Sequence, residues 1–398
     1  MIRLSDRIDA LPRYPLTGIA AAKLRLREAG VDVIDLGAGD ADHPPPEGTR
    51  AELARALDDV AMHKYGFQLG LPDFRRAAVD WVARRFGQQF DPTTEFTPLI
   101  GSKEGLAHLA LAVADPGDAV VLPEPGYQAY FGGAVLAGAE PVVVPLERER
   151  GFLLELGELP EALLRRTALV YVNYPNNPTA AIAPRDYLER LVATCRAHDI
   201  VLAYDNAYCD ITFDGYVAPS IFEIAGARDV AVEFFSLSKS FQMTGWRLGF
   251  AVGSAPIIGA LSKVKSYVDT GAFQALQRAG AWTLDRAEEL VAPIVAELTI
   301  RRDVAVAALR EAGFAVESPQ GAMYLWVPLP EGVPSAEFAT RAMEDEGVVV
   351  LPGSGFGAAG EGFFRIALTQ PPDRLREAIV RIGRTLAAFR ERHAVRTP

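Results

Sequence analysis

With 398 residues and 49% hydrophobic content, the chain has apolar side chains enough for a large core and, by length, for at least two domains. The 51 Asp and Glu exceed the 40 Lys and Arg to leave a formal net charge of -11, which argues against nucleic acid or an anionic membrane as a partner. Two cysteines, Cys195 and Cys209, make no disulfide framework, the histidines are too scattered for a metal site, and no N-terminal leader or bilayer-length apolar run is evident, so a metal-free protein of the reducing cytoplasm is expected.

In chain order, an amphipathic N-terminal arm over 4–30, interrupted by Pro12 and Pro15, leads to a predicted strand over 31–36. From about 47 to 271, short apolar strands alternate with helical patterns, at 53–60, 71–86, 119–122, 141–144, 168–172, 187–196, 201–204, 230–235 and 249–253. That alternation predicts an α/β fold with a mostly parallel, helix-covered sheet. Beyond about 281, a long charged helix (286–312), strands near 314 and at 324–327, 348–351 and 364–367, and a closing helix (372–393) predict a smaller α+β domain. No internal repeat or low-complexity tract interrupts the chain.

Five segments carry chemistry. Gly101-Ser102-Lys103-Glu104-Gly105 opens a helical pattern, where exposed amides, a hydroxyl and a lysine suit an anion; an ordinary serine N-cap is the alternative. In 171–179, Pro175 and Pro178 stiffen a strand-to-helix turn around Asn177, which aims its amide; the same composition also suits a plain turn. The strand 201–204 ends at Asp205 and Tyr208, where open α/β sheets place ligands, although an aspartate there is also a common helix cap.

The fourth segment, Ser236 to Arg247, sets Lys239 between hydroxyls at a predicted strand end. An imine-forming lysine needs partial burial and nearby cationic charge, which Arg247 can supply while sharing an anion with Ser236; a surface lysine on a helix is the plainer reading. In the fifth, Arg365 interrupts the apolar run Phe363 to Leu368. A buried guanidinium calls for an anionic partner, either a substrate carboxylate held bidentately or an internal acid.

Taken together, Lys239 with Ser236 and Arg247, Asn177 before Pro178, Asp205 with Tyr208, and Arg365 resemble the class I and II pyridoxal-phosphate aminotransferases, which share the aspartate-aminotransferase-like fold. The resemblance covers nearly the whole chain, and 173–179, 236–253, 265–274 and 362–370 look most like the LL-diaminopimelate aminotransferases of bacteria and archaea. It implies residues 1–46 as an arm joined to the small domain, 47–280 as a large domain binding pyridoxal 5'-phosphate, and 281–398 as the small domain. It further implies a homodimer with shared sites, acting on small amino and 2-oxo acids.

By the same resemblance Lys239 forms the imine with the cofactor and moves the proton, Asp205 pairs with the ring nitrogen, and Asn177 and Tyr208 bind the ring oxygen. Ser102, Lys103, Ser236 and Arg247 hold the phosphate, Tyr127 stacks on the ring, and Tyr65 reaches the phosphate of the neighbouring subunit; a plain packing role is the alternative for both tyrosines. Gly39 and Arg365 meet the substrate carboxylate, with Gln274 and Tyr14 as candidates for its distal end. Ala180 stands where the family usually has glycine, and Asp40-Ala41-Asp42 replaces the commoner Glu-Pro-Asp, so substrate detail is the part left open. Aspartate, alanine or N-succinyl-diaminopimelate transamination, or a lyase reaction on the same cofactor, are the alternatives. Outside this chemistry, Gly355-Phe356-Gly357-Ala358-Ala359-Gly360 fits the G-x-G-x-x-G of dinucleotide-binding dehydrogenases, but a strand is predicted where that motif requires a helix.

Overall fold

The computed structural model describes residues 2–11, 17–66 and 70–396. Its centre is a seven-stranded sheet with strand order Phe96–Leu99, Gly249–Gly253, Ala231–Ser236, Val201–Asp205, Thr167–Asn173, Ala119–Glu124 and Glu140–Pro145. Gly249–Gly253 runs antiparallel to both of its neighbours, and the strands from Ala231–Ser236 to Glu140–Pro145 are parallel. The sheet is therefore mostly parallel, as the alternating pattern predicts.

Both faces of the sheet are covered, which explains why the central strands read as unbroken apolar runs. Val120, Leu169, Ala203, Val232 and Phe234 pack with Leu106, Leu109 and Leu261 on one face. Val121, Val170, Leu202, Phe235 and Phe250 pack with Phe74, Trp81 and Leu191 on the other. Alternate residues of each strand thus point to opposite layers. The parallel strands end together at Glu124, Asn173, Asp205 and Ser236, on the edge where such sheets bind ligands.

A second apolar cluster gathers the C-terminal elements around Leu309, Phe338, Phe364, Ile366 and Ile379, and it takes in Ile34 and Leu36 from near the N-terminus. The predicted strand over 31–36 is shorter than expected, only Ile34–Asp35, paired in parallel with Val348–Val349. The predicted strand over 348–351 is divided, because Leu351–Pro352 pairs instead with Phe363–Ala367, itself antiparallel to Tyr324–Pro328. No strand forms near Phe314. The amide of Phe314 donates to Leu309 O at 2.9 Å while Gly313 takes φ +89°, so the buried ring belongs to a helix C-cap and not to a sheet.

Both cysteines are buried and unbonded. No described helix is long and apolar enough to cross a membrane.

Phe250 is fully buried, with ring centroids at 5.1 Å from Phe235, 5.7 Å from Phe96, 6.0 Å from Trp81 and 6.3 Å from Phe74. Replacing it by alanine should cost about 3–5 kcal/mol, read as a lower denaturant midpoint for unfolding followed by circular dichroism. A loss under about 1 kcal/mol would contradict this packing.

Candidate active site

A cavity of about 420 Å³ opens at the carboxyl ends of the parallel strands. Asn173, Asp205 and Ser236 reach it from strand ends, Ser102 and Lys103 from a helix start, and Tyr324 and Arg365 from the antiparallel strands of the C-terminal cluster. Gly39, Tyr127, Asn177, Tyr208, Lys239 and Arg247 complete the polar wall.

Asp205 lies at its base, buried. Tyr130 donates its hydroxyl to Oδ2 at 2.7 Å, and Asn173 Nδ2 holds the Asp205 carbonyl at 2.7 Å. The other carboxylate oxygen, Oδ1, is sealed from solvent and has no hydrogen-bond partner of normal geometry among the described residues. Burial pushes the carboxyl up to about 6, partly offset by the Tyr130 hydroxyl and the Ala207 amide. An unsatisfied buried acceptor is costly, so the site is built for a donor or cation brought from outside. A protonated ring nitrogen fits that description. Tyr130 is held in turn by stacking on Tyr171 at 4.7 Å and 9°.

Lys239 follows the strand Ala231–Ser236 on the one-turn helix Leu237–Ser240, and its ammonium donates to the Gly39 carbonyl. Gly39 admits no side chain, because a Cβ there would lie 2.2 Å from the Tyr324 hydroxyl. That hydroxyl meets the Tyr208 hydroxyl at 3.0 Å. Burial raises both phenols, but at Tyr324 the Lys239 ammonium and the Arg365 guanidinium outweigh it and hold the group below its ordinary value. The next residues of the loop are anchored as well, since Asp42 accepts from Arg301 at 2.7 Å.

Four groups able to hold an anion, Ser102, Lys103, Ser236 and Arg247, line the same cavity. Gly101, at φ +73°, is the N-cap of the helix Ser102–Val113 and makes no side-chain cap. Ser102 is therefore not the capping serine, and its hydroxyl is left to the cavity. Arg247 packs against Gly101 so closely that a Cβ there would lie 2.4 Å from its guanidinium, while its Nη1 donates to Thr244 O at 2.8 Å. Ser236 Oγ accepts the Ser238 amide at 3.2 Å, and Lys103 Nζ lies 5.9 Å from the centre of the Tyr127 ring.

Arg365 donates to Asn177 Oδ1 at 2.7 Å and to Gly37 O at 2.6 Å, both neutral oxygens. Its guanidinium also lies over the rings of Tyr324 at 4.2 Å and Phe356 at 4.9 Å. Arginine offers only donors, so the Asn177 oxygen must face it, leaving the Asn177 NH₂ as the group able to donate elsewhere.

The residues expected at a shared site lie apart. Tyr65 is 71% exposed and does not line the cavity of its own chain. Gln274 is also outside the cavity and donates to Lys64 O at 3.1 Å, beside Tyr65. Tyr14 falls outside the described residues. The glycine-rich stretch 355–360 lies in two single-turn 3-10 helices, Gly353–Phe356 and Ala358–Gly360, before the strand Phe363–Ala367, with the Ala359 amide on Glu124 Oε2 at 3.0 Å. It presents no α-helix start to a pyrophosphate.

Tyr324, Tyr130, Asn173 and Phe356 also shape the site, although sequence reasoning gives none of them a role there. No local signal marks Tyr324, whose place comes from the register that pairs it with Ala367, two residues from Arg365.

Residues 31–382 match the family described as aminotransferase class I and II. The LL-diaminopimelate aminotransferase of Moorella thermoacetica is 44% identical over 380 residues, covering 96% of this chain and 97% of that protein. The enzyme of that name from Aquifex aeolicus is 44% identical over 382 residues, covering 96% and 99%. Among solved structures, substrate-bound BacF from Bacillus subtilis aligns with a TM-score of 0.93 at 32% identity, covering 96% of this chain and 98% of that one. A probable N-succinyldiaminopimelate aminotransferase from Thermus thermophilus aligns with a TM-score of 0.88 at 40% identity, covering 93% and 99%.

A buried acid carried from 3.8 to about 6 binds its proton more tightly folded than unfolded, so its stabilising effect is complete below pH 3.8 and lost as pH rises through 6. Asp205→Asn should therefore stabilise the ligand-free protein relative to the parent by roughly 3 kcal/mol above pH 6, and by progressively less toward pH 4. Melting curves of both proteins across that range test it, and a difference independent of pH would contradict the assignment.

Proposed function

The chain belongs to the class I and II aminotransferases, and from that premise we propose that it exchanges an amino group between LL-diaminopimelate and 2-oxoglutarate, with pyridoxal 5'-phosphate held in the cavity around Lys239. The family uses this cofactor. The observation that carries the reading is the sealed Asp205 Oδ1, a buried acceptor awaiting a donor, in the same cavity as a lysine and an anion cradle. When bound, the cofactor supplies an aldehyde for amino groups and a ring that withdraws electrons once its nitrogen is protonated.

Each residue has a role that its surroundings support. Asp205, fixed by Tyr130 and Asn173, holds the ring-nitrogen proton; ionising beside that positive charge relieves the cost of its burial. Lys239 anchors the cofactor and carries the proton to and from the substrate Cα. The Asn177 NH₂ and the Tyr208 hydroxyl donate to the ring oxygen, and Tyr324 keeps Tyr208 in place. Ser102, Lys103, Ser236 and Arg247 bind the phosphate, and Tyr127 stacks on the ring. Arg365, already aligned by Asn177 and Gly37, takes the substrate carboxylate through its planar fork beside the Gly39 backbone.

The substrate assignment rests on relatives that carry the diaminopimelate name at 44% identity over nearly their full length. N-succinyl-diaminopimelate is the second reading, favoured by the Thermus structure at 40% identity. We further propose a homodimer in which Tyr65 reaches the partner's phosphate and Gln274 and Tyr14 serve the distal end of the substrate. The exposed Tyr65, Tyr267, Val268 and Phe273 support a covered surface on this side of the molecule.

Borohydride treatment of the purified enzyme should abolish a visible absorption band and leave the cofactor on Lys239 by peptide mass spectrometry; a different labelled lysine would refute the site. On the loaded enzyme, kcat/KM for LL-diaminopimelate should exceed that for aspartate, alanine and aromatic amino acids, by factors reaching about 10⁴ if a hydrogen-bonding distal pocket does the selecting. Preference for the N-succinyl compound would move the assignment to the second reading.

Sharing between subunits has its own test. Mixing weakened Tyr65→Phe with inactive Lys239→Ala chains should raise activity above that of either homodimer, because a hybrid dimer then holds one intact site. Absence of recovery in confirmed hybrids would place Tyr65 with its own chain's site.

A further inference from the structure

Next to the anion-binding turn, but outside the cavity lining, lies a charged cluster that the roles above do not use. Lys265, fully buried on the helix Ala255–Val268, places Nζ 2.8 Å from Glu104 Oε1 and 3.1 Å from Asp269 Oδ2. His108 Nδ1 lies 2.6 Å from the same Glu104 oxygen. A carboxylate only accepts, so that ring nitrogen carries its proton. Glu104, His108 and Asp269 are close enough together to suit a metal ion, but the Lys265 ammonium already supplies the positive charge between the two acids.

The second oxygen of Glu104 gives the cluster its direction. Oε2 accepts the backbone amide of Ile100 at 3.1 Å, the residue that leads into Gly101. Gly101 must hold φ +73° for Arg247 to pack on it and for the helix to begin at Ser102. A structural ion pair with Lys265 would need only one carboxylate oxygen; the other restrains the turn that presents the cradle.

We propose that Glu104 is a positioning residue for the phosphate-binding turn 100–103, clamped by Lys265 and His108. The clamp extends to the subunit edge, because Asp269 Oδ1 accepts the Gly271 amide at 2.6 Å and the same turn leads into Gln274, which holds Lys64 O beside Tyr65. The phosphate cradle and the Tyr65 edge are thereby braced by one buried lysine. Burial raises the Glu104 carboxyl, but His108 and Lys265 outweigh it and keep the group below its ordinary value, so it stays an anion able to accept from all three donors.

The inference rests on reading Ser102, Lys103, Ser236 and Arg247 as a phosphate cradle, and titrating apoenzyme with pyridoxal phosphate and with pyridoxal separates the two. If the parent apoenzyme binds both equally, the cradle reading itself fails. If it prefers the phosphorylated form, Glu104→Gln tests the clamp, since an amide must turn a donor toward one of the groups that Glu104 accepts from. Loss of a charge-assisted hydrogen bond should raise Kd for pyridoxal phosphate about tenfold or more, with pyridoxal changed less than about twofold.

Equal weakening of both ligands would make Glu104 merely structural and overturn the proposal, as would no change in either. Should Glu104→Gln fail to fold, His108→Ala removes one restraint from an intact helix and should show the same selectivity at about threefold; an unselective or absent effect there would overturn it too.

Discussion

One carboxylate with an unanswered oxygen organises this molecule. Asp205 is carried out of water by its strand, and burying it with Oδ1 unpaired costs free energy that folding must recover elsewhere. The recovery is visible around it: a fully buried tyrosine stacked on a second tyrosine, an asparagine bridging the ends of two neighbouring strands, and a tightly packed aromatic layer on the sheet's far face. A buried acceptor held in place by its neighbours is preorganised to receive a donor.

The opposite wall of the cavity comes from a different sheet. Arg365 and Tyr324 stand on antiparallel strands of the C-terminal cluster, and Gly39 reaches them from a loop that follows the short strand Ile34–Asp35. Their closeness is set by sterics, since the hydroxyl of Tyr324 occupies the space where any side chain on Gly39 would stand. Cationic charge from Lys239 and Arg365 is concentrated at this wall and lowers the Tyr324 phenol despite its burial. The acidic group at Asp205 and the cationic groups Lys239 and Arg365 give the cavity walls of different polarity.

The turn before Ser102 shows how far local rules reach. Glycine before a helix start and serine with lysine after it mark an anion site by the chemistry of free amides and the helix dipole, and the helix does begin at Ser102. The serine-cap alternative is excluded by the one-residue offset that makes Gly101 the N-cap. Phe314 errs the other way: an apolar residue between helix and strand patterns resembles a strand residue, yet the left-handed Gly313 turns it into a cap. The division of the predicted strand 348–351 between two sheets is equally invisible locally, because successive residues choose partners that are more than 300 and about 14 positions away.

Sequence alone determined the class of fold, since two-sided burial writes itself as apolar runs and helix faces as periodic ones. It also determined where the chemistry-bearing residue types stand, with Asp205, Asn177, Lys239 and Arg247 at or near strand ends and Arg365 within a strand. Tertiary structure decided which of them meet and what orients each one. Tyr324 and Tyr130 acquire their place only through strand register and side-chain packing, and the Asn177 amide is oriented only because Arg365 arrives from another sheet. The physical reason is that propensity and periodicity act over a few residues, whereas burial, hydrogen-bond completion and steric exclusion act between atoms brought together from opposite ends of the chain.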